Sequence, residues 1–522
     1  MAVVPVSLST PAARVSRDPH RVLVQRPWLC AAAALASILL SLWAWHADPI
    51  INNDGTQYVR AAGYFLGGEW HQGFEVYKWP FYSMVTAATA KVTGLTAAQA
   101  AYGVNAALYV LLVWGFLALL QALGGEGRVL VLGAIVLLLH PSLNEYRSFV
   151  IRDIGFWAFY LWGLAYFFSH VRSGATSSLV LWAAATTLAA LFRVEGLAFL
   201  VLLPFSLVAA RTRGAVRWVV VAAAATVGAL MIGSAVFWQH VPDSSSAAST
   251  LTERLYAGWV GVGRDVTSRL EALGREFPGH ISFLVAWPTF LITLGWMVVV
   301  KIVRATSVTY SILVGYGLAG GRLFPCRRVD GYWWAVVAIN LGYLCGFAFI
   351  NFFLTDRYPF ALGLTLLACV PFTLERLWSS FSSAGARRHV RWLAPALALL
   401  VLAAGIKGLS IDTNKYYLRE AGLWLRAHMS TGSNLYSNER RVIYYAGAES
   451  AFRSGAAYSW DEAMHEIWSG RWRHYDYLAL NVSHNDPERA QYVAYKLHRD
   501  PVKTFWNKDG DRVLIFEGRQ PH

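Results

Sequence analysis

Along most of this chain the apolar positions neither alternate nor recur on one helical face; they run in continuous blocks separated by short polar or basic connectors. The blocks lie near residues 28–47, 99–121, 128–141, 154–169, 178–192, 196–210, 216–238, 281–303, 332–353, 358–376 and 391–407. Several reach the roughly 20 residues that a helix needs to cross the hydrocarbon of a bilayer. A backbone there has no water to bond and satisfies itself by coiling. The pattern predicts an α-helical polytopic membrane protein with about 11 transmembrane helices. The apolar stretch 306–321 is interrupted by Gly315, Gly317, Gly320 and Gly321 and is read as an interfacial or re-entrant helix rather than a full crossing.

Three segments are too long to be connectors, 48–98, 239–280 and 408–522. The last becomes polar and mixed. Leu418, Ala421, Leu423, Trp424 and Leu425 supply the apolar face of an amphipathic helix over 415–429. Strands are predicted at 475–482, 502–506 and 512–516, the last two joined by a turn at Asp509-Gly510. The expected organisation is a tail at 1–27, a membrane domain at 28–407 carrying the loops 48–98 and 239–280, and a small C-terminal α/β domain at 408–522.

Of the 522 residues 56% are hydrophobic and 15% charged, with a mean hydropathy of +0.40, whereas about a quarter of an ordinary globular chain is charged. The net charge of +14 comes from bases gathered between apolar blocks: Arg14, Arg17, Arg21 and Arg26, then Arg172, then Arg211, Arg213 and Arg217, then Lys301 through Arg328, then Arg387, Arg388 and Arg391. That placement reads as membrane orientation and not as a nucleic-acid surface. On this count of spans every cluster falls on the N-terminal side. The positive-inside bias then puts the N-terminus in the cytoplasm and the C-terminus, with loops 48–98 and 239–280, on the extracytoplasmic face of an inner (plasma) membrane. Cys30, Cys345 and Cys369 lie in apolar blocks and Cys326 in a basic connector, a distribution that predicts neither a structural disulfide nor a cysteine metal site.

Four polar groups collect at the outer edge on this topology. The first loop opens with Asn52-Asn53-Asp54-Gly55-Thr56-Gln57 and continues to Glu69 and Lys78-Trp79-Pro80. Asp54 with Gln57 makes a capping box for a helix beginning near Gly55, and Asp54 is equally an acid at the membrane face able to take a proton; the two roles are compatible. Asp153, after Arg152, stands where the fourth block begins, either as a carboxylate on the helix dipole or as part of a site. Arg193-Val194-Glu195 is lodged between two apolar runs, where charges face each other or a cavity. Thr355-Asp356-Arg357-Tyr358 closes a later block, and a guanidinium there anchors the helix at the headgroups or clamps a phosphate in a bidentate fork.

In the order and sidedness of these residues the chain resembles the GT-C superfamily of polyprenyl-phosphate-sugar-dependent glycosyltransferases, in the bacterial branch akin to the lipid A aminoarabinose transferase and the protein O-mannosyltransferases. The resemblance runs over nearly the whole length. It implies a GT-C-like fold and an inverting transfer of a sugar from a polyprenyl-phosphate donor to a lipid, glycan or protein acceptor. Asp54 is then the general base and Asp153 the second acid, while Arg357, with Lys78 or Arg152, neutralises the departing phosphate and Arg193, Glu195 and Tyr358 complete the substrate-binding set. Many relatives carry paired acids in the first loop, whereas Asp54 is followed by Gly55; a divalent metal is left open, with Asp54 and Glu69 as its candidate ligands. Lys78-Trp79-Pro80 only approximates the Lys-Pro-Pro of the aminoarabinose branch, so neither that donor nor that acceptor follows.

Two other readings use the same blocks. A transporter or flippase of a lipid-linked glycan precursor also needs many spans and buried charge, but its polar groups belong near the midplane in related halves, and no half-to-half similarity is visible here. A non-catalytic component of a surface-polysaccharide assembly has no need for Asp54 or Asp153 to be acidic.

Overall fold

The computed structural model describes residues 24–212, 283–382 and 414–518, apart from 322, 431 and 453–457, with single positions between 214 and 221 and between 399 and 408. The predicted spans 216–238 and 391–407 lie almost wholly outside the described residues, as do the loop 239–280 and the tail up to residue 23. Six described helical stretches, one of them Phe360–Ser379 made of two successive short helices, are long and apolar enough to cross a membrane, or seven if Arg128–Leu138 and Pro141–Ser148, bent by 52°, form one span.

The membrane part begins with α1 (Pro27–Ala47), and the first loop folds into α2 (Asn53–Leu66), α3 (Trp70–Val76) and α4 (Phe81–Thr93). Then follow α5 (Ala97–Ala122), α6 (Arg128–Leu138), α7 (Pro141–Glu145), α8 (Asp153–Ser173), α9 (Thr176–Phe192) and α10 (Gly196–Arg211). After the undescribed stretch come α11 (Phe283–Thr306), α12 (Val308–Ala319), α13 (Arg327–Asn351), α14 (Phe360–Leu367) and α15 (Val370–Ser382). Helix α5 starts with a reciprocal box: the Gln99 amide donates to Thr96 Oγ1 at 3.3 Å and the Thr96 amide donates to Gln99 Oε1 at 3.1 Å. At its other end Arg172 donates to the orphan carbonyls of Gln121 and Ala122, each at 3.0 Å.

Helix α8 is the centre of the described bundle: 89% of its apolar stretch is buried, against 28% for α1. It packs along α5 on one side and α9 on the other. The close approach to α9 depends on Gly155, where a Cβ would stand 2.3 Å from Phe192 Cδ1. Small residues let helices meet where apolar burial alone gives no preference for protein over lipid.

The stretch 306–321, expected to be an interfacial or re-entrant helix, runs beside α6. Ser307, at φ +69°, breaks α11 from α12. Tyr310 of α12 donates to the Val136 carbonyl near the end of α6, while beyond α12 the Pro325 ring approaches Gly124 at the start of that helix, so α12 descends the depth of α6. Lys301 and the Arg304 backbone consequently lie on the side of Asp356 and Ser142, opposite to where the count of spans put them. Lys301 is held there by its ammonium pairing with Asp356 at 2.6 Å.

Residues 416–517 hold α16 (Tyr416–His428), β1 (Leu435–Ser437), α17 (Arg440–Ala446), α18 (Trp460–Trp468), β2 (Tyr477–Val482), α19 (Glu488–Leu497), β3 (Lys503–Trp506) and β4 (Arg512–Glu517). The strand order is β1-β2-β4-β3, with β1 parallel to β2 and the other pairs antiparallel. Successive strand residues point to opposite faces. Ala479, Val513 and Ile515 meet Leu418, Leu425, Val442 and Ile443 on one face, whereas Leu478, Leu480, Leu514 and Phe516 meet Met464, Val493 and Leu497 on the other. Gly510, at φ +96°, supplies the left-handed residue of the β3–β4 turn.

Candidate functional site

The first-loop helix α2 carries Asp54 in its first turn, after Asn52 at the N-cap. The expected capping box at Asp54 does not form. The helix begins earlier than predicted, and Asp54 Oδ2 instead accepts from Arg357 Nη2 at 2.6 Å. Asn52 has no side-chain cap bond either: its Oδ1 accepts from the Val150 amide at 2.8 Å, tying the start of α2 to the segment that leads into α8. Gly55 permits that contact. A Cβ there would stand 2.7 Å from Asn52 Oδ1 and 3.0 Å from Val150 Cβ.

Arg357 lies in the turn between α13 and α14 and reaches two carboxylates, Asp54 at 2.6 Å and Asp153 at 3.7 Å. Asp153 opens α8 fully buried, and its other oxygen accepts from Arg193. Arg193 ends α9 in extended backbone and forks its Nε and Nη2 onto Glu195 Oε1. The same Glu195 oxygen accepts from Tyr343 Oη of α13 at 2.9 Å. The Arg193 guanidinium also lies 4.5 Å from the centre of the Tyr358 ring, which stacks on Phe347 at 4.3 Å. Acid and base thus alternate through Asp54, Arg357, Asp153, Arg193 and Glu195, from a partly exposed end at Asp54 to a buried end at Glu195.

Arg152 points to an aromatic wall, 5.2 Å from the Tyr77 ring, which meets Tyr58 edge-on at 4.8 Å. Burial works against the charged form of Arg357, but the Asp153 and Asp54 carboxylates outweigh it and hold the guanidinium protonated above its ordinary range. Chemically the string places a carboxylate and a guanidinium side by side at one mouth, with a second buried ion pair fixing their geometry.

Six of the sequence-predicted residues therefore converge: Asp54, Asp153, Arg193, Glu195, Arg357 and Tyr358. Lys78 stands exposed on the connector between α3 and α4, beside Tyr77. The candidate metal ligands Asp54 and Glu69, with the metal itself left open, do not come together. Glu69 lies beyond the far end of α2, a 14-residue helix of about 21 Å, so it cannot share an ion with Asp54 in its first turn. Among the described residues no three His, Cys, Asp or Glu side chains cluster, and both site aspartates face guanidinium groups. The described residues around Asp54 do not form a divalent-ion site.

Sequence reasoning missed Tyr343, which sits in an apolar run with nothing to mark it, and Lys301, whose partner Asp356 adjoins Arg357. Tyr77 was also missed, although an aromatic preceding the Lys78-Trp79-Pro80 run was the available signal.

No protein-family model matches the chain, and no curated protein matches it. Among solved structures it is similar to the oligosaccharyltransferase of Archaeoglobus fulgidus in the apo form, at 13% identity and a TM-score of 0.52, covering 90% of this chain and 71% of that one. The oligosaccharyltransferase AglB of the same organism, in complex with an inhibitory peptide and a dolichol-phosphate, aligns with a TM-score of 0.52 at 10% identity over 94% of this chain and 74% of that one. ArnT from Cupriavidus metallidurans bound to undecaprenyl phosphate aligns at 12% identity and a TM-score of 0.49, over 96% of this chain and all of that one. The fold of this membrane protein resembles that of the two Archaeoglobus fulgidus oligosaccharyltransferase structures.

Proposed function

We propose that the chain transfers a glycosyl group from a polyprenyl-phosphate donor to an acceptor hydroxyl or amine on the extracytoplasmic side of the membrane, with inversion. The observation that carries this reading is Arg357, held between Asp54 and Asp153 at the partly exposed end of the charge string. An arriving lipid phosphate competes with Asp54 for the guanidinium, since Arg–phosphate and Arg–carboxylate pairs use the same fork. Once Arg357 turns to the phosphate, Asp54 is released as a base. The acceptor oxygen or nitrogen bonds to the anomeric carbon, the bond from that carbon to the phosphate oxygen breaks, the electron pair leaves with the phosphate beside Arg357, and the acceptor proton passes to Asp54. Asp153, locked by Arg193, keeps Arg357 in reach of both partners. Arg152 and Lys78 are the further cations assigned to the phosphate, and Glu195 and Tyr358 position Arg193.

The bases at the helix ends remote from Asp54, which include Arg128, Arg172, Arg211, Arg327 and Arg328, support a cytoplasmic placement of that side. The Archaeoglobus enzyme of similar fold was captured with dolichol-phosphate, a lipid phosphate of the class proposed for this chain. The test is release of polyprenyl phosphate from radiolabelled polyprenyl-phosphate sugars by the protein in nanodiscs. Acceptor-dependent release that is lost in Asp54→Asn and Asp153→Asn supports the reading. Absence of release from every donor, together with passage of the carrier across vesicle membranes in wild type and mutants alike, replaces it with transport.

A further inference from the structure

Beside the charge string, and sharing none of its members, is a cavity of about 800 Å³. Its walls come from α1 through Leu40 and Trp43, from the α7 region through Glu145 and Arg147, from the α11–α12 junction through Arg304 and Val308, and from Lys415 ahead of α16. Arg147 is only 2% exposed, and its bonds go to neutral groups. Its Nε donates to Asn144 Oδ1 at 2.9 Å, and its Nη1 donates to the Ser37 carbonyl at 3.0 Å, Ser37 Oγ at 3.2 Å and Ser41 Oγ at 2.8 Å. The remaining face lies over the Tyr109 ring at 4.2 Å. Its Nη2 is buried with no hydrogen-bond partner, and among the described residues no carboxylate pairs with the guanidinium. A buried cation without an opposing charge is costly, so a protein keeps one where a ligand supplies the charge.

Three carboxylates line the same cavity and do not answer Arg147. Asp356 pairs with Lys301 at 2.6 Å, Asp48 accepts from the Ile50 amide at 3.2 Å, and Glu145 is exposed. Arg304, also exposed, adds a second cation without an ion-pair partner among the described residues. The apolar walls reach outward: Trp43 is 46% and Val308 61% exposed, on helices that also present Leu39, Leu42 and Ile312. A ligand that fits has an anionic head at Arg147 and an apolar tail leaving between α1 and α12.

We propose that this cavity binds the phosphoryl headgroup of a lipid, with Arg147 as its buried cation and Arg304 as its outer one. Guanidinium is suited to this role because it forms two parallel bonds to phosphate and sheds water more readily than ammonium. The phosphoryl group belongs either to a membrane phospholipid or to a lipid-linked substrate, and the site is independent of the transfer step at Asp54.

The experiment introduces Thr309→Cys at the cavity wall of the full chain in nanodiscs and follows its labelling by a small methanethiosulfonate, located by mass spectrometry so that Cys30, Cys326, Cys345 and Cys369 do not interfere. Phosphatidic acid, polyprenyl phosphate and, as the neutral control, diacylglycerol are each added to a zwitterionic nanodisc. Protection by both phosphates supports a general phospholipid-head site, and protection by polyprenyl phosphate alone supports a substrate-head site. Arg304→Gln should weaken protection about tenfold, as expected for a lost charge-assisted contact, and Arg147→Gln by more. Equal protection by diacylglycerol, absence of protection, or full protection in Arg304→Gln and in a folded Arg147→Gln overturns the proposal. Failure of glycosyl release in the assay above leaves this readout unchanged, so the two readings fail separately.

Discussion

Arg357 donates to Asp54 at 2.6 Å although 303 positions separate them in sequence, and the same guanidinium stands 3.7 Å from Asp153. One cation thus joins the first-loop helix to the central span of the bundle. If the three act as a unit, Asp54→Asn and Arg357→Gln are each expected to lower turnover by about 10² or more, and the double variant to lose far less than the product of the two. A double-mutant cycle on phosphate release measures the coupling, and strict additivity would show that the pair does not act together.

Among the described residues Arg193 is the only cation within ion-pair distance of both Asp153 and Glu195. Arg193→Met leaves Glu195 without its cation and is expected to destabilise the protein by about 3–5 kcal/mol, the range for breaking a buried pair from one side. Thermal unfolding in detergent reads this directly. Glu195→Gln, which can still accept from Tyr343, should cost less.

Gly55→Ala tests whether the seat of α2 matters to the site. Its Cβ would stand 2.7 Å from Asn52 Oδ1, so Asn52 must give way and loosen its bond to the Val150 amide. The expected cost is about 1–3 kcal/mol, as for overpacked cores. Turnover should fall more than stability explains, because Asp54 is the preceding residue. An unchanged turnover in the folded variant would separate the α2 seat from the chemistry.

The C-terminal region holds α2 from the other side. The Ile51 amide donates to Tyr445 Oη at 2.9 Å, Tyr64 donates to Glu449 at 2.9 Å, and Arg60 pairs with Glu449 while lying 3.7 Å from the centre of the Phe452 ring. Tyr445→Phe leaves the Ile51 amide without its partner, at a cost of about 1–3 kcal/mol if water does not replace it. Hydrogen exchange at residues 51–54 should quicken in the variant while the α5 and α8 amides stay protected.

Acid should loosen the β3–β4 hairpin through Asp511. Partial burial raises its pKa, but the amide and imidazole of His484 and the Asn507 side chain outweigh that and hold the carboxyl below its ordinary value. A depressed folded pKa means that the stabilisation is fully present above the unfolded value of about 3.9 and is lost as pH falls through the folded value. Exchange across 503–517 should therefore accelerate below about pH 4, and Asp511→Asn should flatten that dependence.

Read alone, the sequence determined the membrane class, because blocks of apolar residues near 20 long have few other solutions. It determined most helix positions among the described residues, and the helix and hairpin of the C-terminal region, for the same local reasons: period, turn chemistry and apolar length. It also flagged Asp54, Asp153, Arg193, Glu195 and Arg357, since charge next to apolar blocks is expensive enough to stand out. Only the tertiary structure decided which of these meet. Asp54 left its expected capping role because Arg357, 303 positions away in sequence, offered a charged partner, and Glu69 left the candidate metal site because the length of α2 separates it from Asp54. The passage of α12 along α6 was hidden because the contacts that fix it, Tyr310 with the Val136 carbonyl and Lys301 with Asp356, join residues distant in sequence. Tyr343 and β1 were illegible for a related reason: a tyrosine in an apolar run and a three-residue strand acquire their roles from partners distant in sequence, and local pattern carries no trace of those partners.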